Sequence, residues 1–569
     1  MERKKSALTP ENYIRAIISL SKRYSSTSAF PGNNYVDLRE WLLQDRGLLS
    51  PAKPDQDAVL FDSKSKHPHD LVVVYNSDEK KWGMQHYRQE QYNTFAGSTS
   101  PPVGGSGQLV FVRGFISPAW VAVLGSKYNI DPEFFRRHMD FLSASIDRHA
   151  YSSPSLSSSS DNIFRLCVST IFHRDDFGGQ NLQSQRKAQT SELEKYKIQQ
   201  LGSTRVCCGD SVVREYSAVC PSFSVVEQWI SLCLAKTERG WTVIAWMDQG
   251  RPLEESPPGP WTIHINSKAT PLPVIQHHHK MAFRTTTNRL DPDTNASAEV
   301  QQSTAVIPLQ YDSLLALVDL ARRAPHDPMS MCLPLFAHSA FSEVQFLNLM
   351  ESRIQMQMAA IAEGVPDDAL GTLQYFTDIL DRHAKQLQDS RRALGKLIES
   401  SGQAWNDGKR QAPEVEAARS ARTGGSNGAF TTNGLSEDYE QLHVRCIGLS
   451  QMCSRGITLA MNKATIEESR KAIEQSERLK KLTVLATLFI PLSFCTSLFG
   501  MNIDLLGQST VTFWWFFVFC IPITLSAYVV YLWDFQALNR SWVRLWRRCR
   551  SARRGTTGGK GEKEAIHIV

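Results

Sequence analysis

Two uncharged stretches near the C-terminus constrain this chain more than any other feature. Leu482–Phe499 and Phe513–Trp533 are each long enough to cross about 30 Å of hydrocarbon as a helix that rises about 1.5 Å per residue. From the start of the first stretch to the end of the second, the only charged residue is Asp504. The segment that joins them is too short to fold by itself. The sequence therefore predicts a hairpin of two membrane helices with a small polar loop.

The end of the first stretch carries a recognisable motif. Pro491 follows an aliphatic residue in mid-stretch, and the stretch closes on Phe499 followed by Gly500-Met501-Asn502. This pattern resembles the CorA family of divalent-metal transporters, whose signature is Gly-Met-Asn closing the first of two C-terminal membrane helices. The resemblance implies an α+β cytosolic domain followed by a long stalk helix and two C-terminal transmembrane helices, with a C-terminal half that is mainly α.

The resemblance also implies a site. It assigns Gly500, Met501 and Asn502 to a selectivity filter, with Asn502 binding the metal ion through its water shell. It turns one stripe of the first membrane helix toward a pore axis, and that stripe comprises Leu482, Ala486, Ile490, Ser493 and Ser497. Asp504 is the acid that the outer loop offers to an arriving cation. Alternatively, the stripe's hydroxyls bond back to their own helix or pack between helices.

The expected partners follow from the same resemblance. They are a lipid bilayer, divalent cations and other copies of the chain, most simply in a homopentamer. No cofactor is expected, with Mg2+ as the transported ion and a candidate regulatory ion. Two alternatives stay open: transport of zinc or another divalent ion, and a membrane-anchored sensor or scaffold that does not conduct. No nucleophile–base motif is evident in the soluble part, so the chain is not expected to be an enzyme.

Basic residues flank the hairpin on both sides and predict its orientation. Arg478, Lys480 and Lys481 precede the first stretch, and the segment from Leu482 to Asn539 has neither Lys nor Arg. A run of arginines follows the second stretch: Arg540, Arg544, Arg547, Arg548, Arg550, Arg553 and Arg554. By the positive-inside rule, both termini are expected in the cytosol of a multi-pass plasma-membrane protein. Nucleic-acid binding is the rival interpretation of the arginines, but their position beside a membrane helix favours lipid headgroups.

The sequence divides the whole chain into nine predicted segments. The predicted divisions are a variable N-terminal segment (1–59), an α/β domain (60–300), a helical region (301–402), a linker (403–435), a stalk helix (436–481), the first membrane helix (482–503), an outer loop (504–512), the second membrane helix (513–533) and a basic tail (534–569).

Local patterns predict individual elements of the soluble part. Strands are expected at Leu71–Tyr75, Leu109–Val112 and Trp241–Trp246, and a helix is expected to start at Asp131-Pro132. The run His277–His279 is expected in a loop, because consecutive residues cannot all face one metal ion without strain.

The helical part shows two further patterns. The four residues Leu373, Leu380, Leu387 and Leu394 recur every seven residues, which fits a coiled-coil stripe or an amphipathic helix in a bundle. Ser436 is expected to cap the stalk helix. The stalk acids Glu467, Glu468, Glu474 and Glu477 are either candidates for a regulatory Mg2+ site or members of ordinary helix ion pairs.

Overall fold

The computed structural model describes most of the chain. The described residues are 8–22, 34–43, 69–77, 82–98, 107–140, 161–174, 182–201, 206–237, 240–262, 269–277, 299–317, 328–364, 366, 368–408, 432–500 and 514–532.

The described helices and strands are as follows. The helices are α1 (Pro10–Lys22), α2 (Asn34–Leu43), α3 (Tyr92–Gly97), α4 (Pro118–Tyr128), α5 (Pro132–His138), α6 (Leu182–Leu201), α7 (Tyr311–Leu317), α8 (Pro328–Glu363), α9 (Ala369–Gly408), α10 (Thr432–Gly500) and α11 (Trp514–Leu532). The strands are β1 (Asp70–Ser77), β2 (Trp82–Arg88), β3 (Gly107–Arg113), β4 (Ile163–His173), β5 (Glu215–Cys220), β6 (Phe223–Thr237), β7 (Gly240–Met247), β8 (Thr270–Pro271), β9 (Val274–His277) and β10 (Glu299–Gln302).

A mixed sheet forms the centre of the soluble part. Its strand order is β2-β1-β3-β7-β6-β4-β8, with β5 paired to β6 outside this path. The pair β3–β7 is parallel, and the other described pairs of this sheet are antiparallel. The three predicted strands are confirmed as β1, β3 and β7. The predicted helix start is also confirmed, because the Asp131 side chain accepts a hydrogen bond from Glu133 N at the start of α5.

The two faces of the sheet bury alternate residues of the same strands. In β1, Val73 and Tyr75 belong to one hydrophobic core, whereas Val72 and Val74 belong to another. This alternation follows from the two-residue period of a strand. The second core also contains Tyr13 and Ile17 of α1, Leu38 of α2 and Trp120 of α4. The N-terminal helices are therefore part of the packed fold.

Helices α8, α9 and the first part of α10 cover the other face. The four leucines at seven-residue spacing are all buried in this core, at 0–4% exposure. They share it with Leu347 and Met350 of α8 and with Leu442 and Leu449 of α10. The stripe therefore packs within the chain as one layer of a helical bundle. Replacing such a leucine by alanine typically costs about 2–5 kcal/mol.

The chain separates into two compact units, Met1–Ala460 and Met461–Val569. The long helix α10 contains residues of both. The predicted fold class is confirmed, since an α+β region is followed by a long helix and a C-terminal helix. Except where α9 and α10 extend into the predicted linker, the finer domain boundaries stay predictions.

Three local predictions are wrong. Helix α10 begins at Thr432, four residues before Ser436, because Leu435 is already buried in the core and extends the apolar stripe upstream. Helix α9 continues to Gly408, into the predicted linker, whose residues 409–431 lie outside the described part. His277 ends strand β9, which pairs with β10, because Val274 and Gln276 are buried in alternation; His278 and His279 lie outside the described residues.

Candidate functional site

The second part of α10 changes character along its length. From Met461 to Lys481 most of its side chains are polar and nearly all are exposed, and Arg470 Nε lies 3.5 Å from Glu474 Oε1. For Glu474 this contact is the ordinary helix ion pair, which the sequence analysis gave as the alternative to a Mg2+ site. An exposed pair of this kind contributes at most about 1 kcal/mol. A regulatory role of the stalk acids stays a prediction.

The apolar part of α10 exposes its hydrophobic side chains. Leu482 and Ile490 are 67% and 66% exposed, and Leu485, Phe489 and Phe494 are exposed as well. Among the described residues, α10 is the one helix whose length and composition suffice to cross a membrane. The core helix of a soluble protein could also be long and apolar, but its side chains would be buried. Helix α11 is apolar over the shorter range Phe517–Val529.

The hydroxyl groups of this segment are bonded to their own helix. Ser493 Oγ lies 3.3 Å from the Ile490 carbonyl oxygen, and Thr487 Oγ1 lies 2.7 Å from that of Thr483. These contacts match the alternative that the hydroxyls bond back to the helix. A hydroxyl that donates its hydrogen in this way still presents oxygen lone pairs outward.

Helices α10 and α11 meet at a pair of thiols. Cys495 and Cys520 are 1% and 4% exposed, whereas their helical neighbours are mostly exposed. Their side chains are within hydrogen-bonding reach of each other. The two helices therefore contact each other at these thiols, one before and one after the connecting segment.

The predicted site residues fall into two groups. The five stripe residues lie on one continuous helix, and their spacing of three or four residues places them on one face. Gly500 is the last residue of α10, and Met501, Asn502 and Asp504 lie outside the described residues. The pore-lining and filter roles stay predictions.

The first compact unit, Met1–Ala460, is called the soluble unit below. It contains a buried polar cluster that sequence patterns did not reveal. Ser231 Oγ lies 2.8 Å from His138 Nδ1, and His138 Nε2 lies 3.1 Å from Asp248 Oδ1. The order of contacts is that of a serine-hydrolase triad, but all three residues are at most 2% exposed. A substrate has no access to a hydroxyl buried in this way. The cluster is structural.

Arg214 completes this cluster. Its guanidinium donates to both oxygens of Asp248 at 2.6 Å and to the His138 carbonyl oxygen at 2.7 Å. Burial raises the pKa of Asp248, but Arg214 and His138 outweigh it and lower that pKa to about 2. Burial lowers the pKa of His138 to about 4, against the effect of Asp248. His138 is therefore neutral at pH 7, and Arg214 balances the charge of Asp248.

Comparison with known proteins connects the C-terminal part to one family. Residues 418–533 match the family described as "CorA-like Mg2+ transporter protein". The magnesium transporter ALR1 of Saccharomyces cerevisiae is 25% identical over 154 residues, which cover 24% of this chain and 18% of the yeast protein. The matched region thus spans less than one-fifth of that relative's length.

Two solved structures are also similar. They are the CorA magnesium transporter of Methanocaldococcus jannaschii, at 10% identity and a TM-score of 0.29, and the full-length CmaX protein, at 12% and 0.30. The alignments cover 82% and 83% of this chain and 98% of each of the other chains. Both TM-scores are too low to establish a common fold.

The family match contains the apolar end of α10, the Gly500-Met501-Asn502 motif and α11. In this chain the motif begins at the last residue of α10, a helix that is long and apolar enough to cross a membrane. We conclude that the C-terminal region of this protein, residues 418–533, is similar to the CorA-like Mg2+ transporter family.

Proposed function

We propose that this protein is a membrane channel for divalent cations, with passive uptake of Mg2+ as its function. The observation that carries the proposal is the exposed apolar segment of α10, which ends directly before Gly500-Met501-Asn502 inside the family match. The ALR1 relative is a magnesium transporter by name. Because the match covers a small share of that relative, its ion is carried over here as part of the proposal.

The chemistry of the motif suits a hydrated ion. Mg2+ holds its waters tightly and requires octahedral geometry, so a channel gains by recognising the ion with its water shell. The Asn502 amide oxygen accepts hydrogen bonds from coordinated water without removing it. Gly500 lets the backbone turn toward the axis. Met501 is a soft ligand that suits a hard cation poorly, so we assign it a packing role.

The stripe on α10 supports a wet pathway below this filter. Ser493 uses its hydrogen on the Ile490 carbonyl, so its oxygen is left to accept hydrogen bonds from the waters around an ion. Water bound to a cation donates hydrogen bonds, so it can bond to the free lone pairs of the Ser493 oxygen. Leu482 and Ile490 supply apolar rings that can close the pathway by excluding water. Ala486 and Ser497 are small enough to leave the pathway open.

A single hairpin does not enclose a pore, so the channel requires several copies. Exposed apolar side chains on α10 need lipid or protein around them, and the hydroxyl-bearing stripe is costly in lipid. We infer a homo-oligomer, and the family resemblance favours a pentamer. The native mass of the purified protein in mild detergent tests this inference, and a monomer would contradict the pore.

The membrane potential supplies the driving force. A divalent cation gains about 4.6 kcal/mol per 100 mV of inside-negative potential, so inward flow needs no further energy source. Asp504 is the acid that attracts cations at the outer mouth. The stalk acids are candidates for a regulatory Mg2+ site, and no other cofactor is proposed.

Both termini are expected in the cytosol and the Asn502 loop outside. The reason is that Lys and Arg are absent between Leu482 and Asn539 and abundant on both sides. In intact cells that carry the protein in the plasma membrane, an impermeant thiol reagent should label a cysteine placed at Gln508. A cysteine placed at Ser551 should be labelled only after the cells are opened. Labelling of Ser551→Cys in intact cells would overturn this orientation.

Reconstitution tests the function itself. Purified protein in liposomes with an inside-negative potential should carry Mg2+ inward, reported by an internal Mg2+-sensitive dye, at a rate well above that of protein-free liposomes. Parallel assays with Zn2+ identify the preferred ion. An assembled oligomer that carries neither ion would contradict the channel and favour a membrane-anchored scaffold.

A further inference from the structure

One helical turn of α9 contacts three other elements of the soluble unit. This turn comprises Leu380, Asp381, Arg382 and His383, and we call it the junction turn. Two of its residues face α10: Cys446 Sγ donates to the Leu380 carbonyl oxygen at 3.1 Å, and Ser450 Oγ donates to Asp381 Oδ1 at 2.7 Å.

The other two residues of the junction turn face the sheet and α8. Arg382 donates to both carboxylate oxygens of Glu227 in the middle of β6. His383 Nδ1 lies 2.9 Å from Glu343 Oε1 of α8, and His383 Nε2 lies 3.2 Å from Glu227 Oε1. Four charged side chains from three elements therefore meet at one point.

Three members of this ionic cluster are buried, and Arg382 is half-buried. Glu227 and His383 are 1% and 0% exposed, and Glu343 is 5% exposed. Burial lowers the pKa of His383, but the carboxylates of Glu343 and Glu227 outweigh it and raise that pKa to about 9. Burial likewise raises the pKa of Glu227, but His383 and Arg382 hold it well below its usual range. At neutral pH His383 and Arg382 are therefore cations and Glu227 is an anion.

The arrangement has a mechanical consequence. A buried charge has few alternative partners, so Glu227 and Glu343 hold Arg382 and His383 at fixed positions. The same helical turn carries the Leu380 carbonyl and the Asp381 carboxylate that α10 contacts. A shift of β6 or α8 therefore either moves the α10 side of the turn as well or breaks the ion pairs of the cluster.

We propose that the junction turn is the connection through which the central sheet holds the first part of α10, and that it transmits rearrangements of the sheet to this helix. The same helix runs on to Gly500. A role in opening or closing a pathway rests on the proposed channel function, whereas the connection itself does not.

Hydrogen exchange tests the connection without any transport assay. In the full-length protein in detergent micelles, Arg382→Gln and Glu227→Gln should each speed amide exchange in α10 residues 446–453 by at least about tenfold. Arg382 is half-buried, so its variant is expected to fold even where Glu227→Gln does not. In a background in which Cys446 and Ser450 are both replaced by alanine, Arg382→Gln should add little further exchange at these amides, because both hydrogen bonds from α10 to the junction turn are already absent.

The matched control is Glu215→Gln. Glu215 lies directly opposite Glu227 in the β5–β6 register, but it pairs with Lys197 at the surface, at 2.7 Å. This variant should leave exchange in 446–453 unchanged. Faster exchange confined to β6 and α8, or an equal effect of Glu215→Gln, would show that α10 is held by apolar packing and by its direct polar contacts with α8, such as Tyr439 with the Phe336 carbonyl, and would overturn the proposal.

Discussion

Replacing Asn502 by alanine is expected to reduce Mg2+ uptake into liposomes by at least about a hundredfold while leaving expression and assembly intact. Asn502 comes two residues after the end of α10, at the expected membrane surface, so loss of its amide should cost little folding free energy. In a ring, every copy loses a water-binding acceptor at once. If each amide contributes about 1 kcal/mol, five of them exceed the roughly 2.7 kcal/mol that a hundredfold effect requires.

Two variants sharpen this experiment. Gln508→Ala removes an amide from the same outer loop and should leave the uptake rate close to that of the wild type. Ser493→Ala should reduce uptake mildly, since water can replace part of a hydroxyl ring. An assembled Asn502→Ala protein that conducts as fast as the wild type would remove Asn502 from the filter.

Replacing Arg214 by methionine is expected to destabilise the soluble unit by about 3–5 kcal/mol, the usual cost of removing one partner of a buried ion pair. The substitution leaves Asp248 buried with only the Trp229 amide and His138 beside it, and it removes a donor from the His138 carbonyl. The apparent melting temperature of the full-length protein, followed by circular dichroism in detergent, should fall clearly.

Arg392→Met is the matched control for this substitution. Arg392 also pairs with an aspartate, Asp389, but the two side chains are 62% and 54% exposed. Its loss should therefore change the stability by less than about 1 kcal/mol. Equal shifts of the melting temperature in the two variants would contradict the structural importance of the buried cluster.

The sequence predicts the apolar strands of the fold better than its polar ones. Strands β1, β3 and β7 are continuous apolar runs, and each was recognisable by itself. Strands β4 and β6 were not, because inward-facing polar residues such as Glu227 interrupt their pattern. The partner of Glu227, His383, lies far along the chain on another element, and no local pattern reveals such a pairing.

The sequence likewise predicts one part of the candidate site better than the other. The motif Gly500-Met501-Asn502 at the end of an uncharged stretch is a local signal, and the family match contains it. In the proposed channel, the face of α10 that lines the pore is a property of several copies together. A single chain exposes the stripe residues Leu482 and Ile490 and the off-stripe residues Leu485 and Phe489 alike, so exposure does not distinguish a pore face from a lipid face.

The unbroken course of α10 makes it a lever arm. From Met461 to Ile490 it contains neither proline nor glycine, and it is helical throughout. At about 1.5 Å per residue this section is about 44 Å long, so a tilt of about 3° about its Met461 end displaces its Ile490 end by about 2 Å. That displacement equals about one Mg2+–oxygen distance. In the proposed channel, a tilt of this size is therefore large enough to change whether a ring of side chains admits an ion.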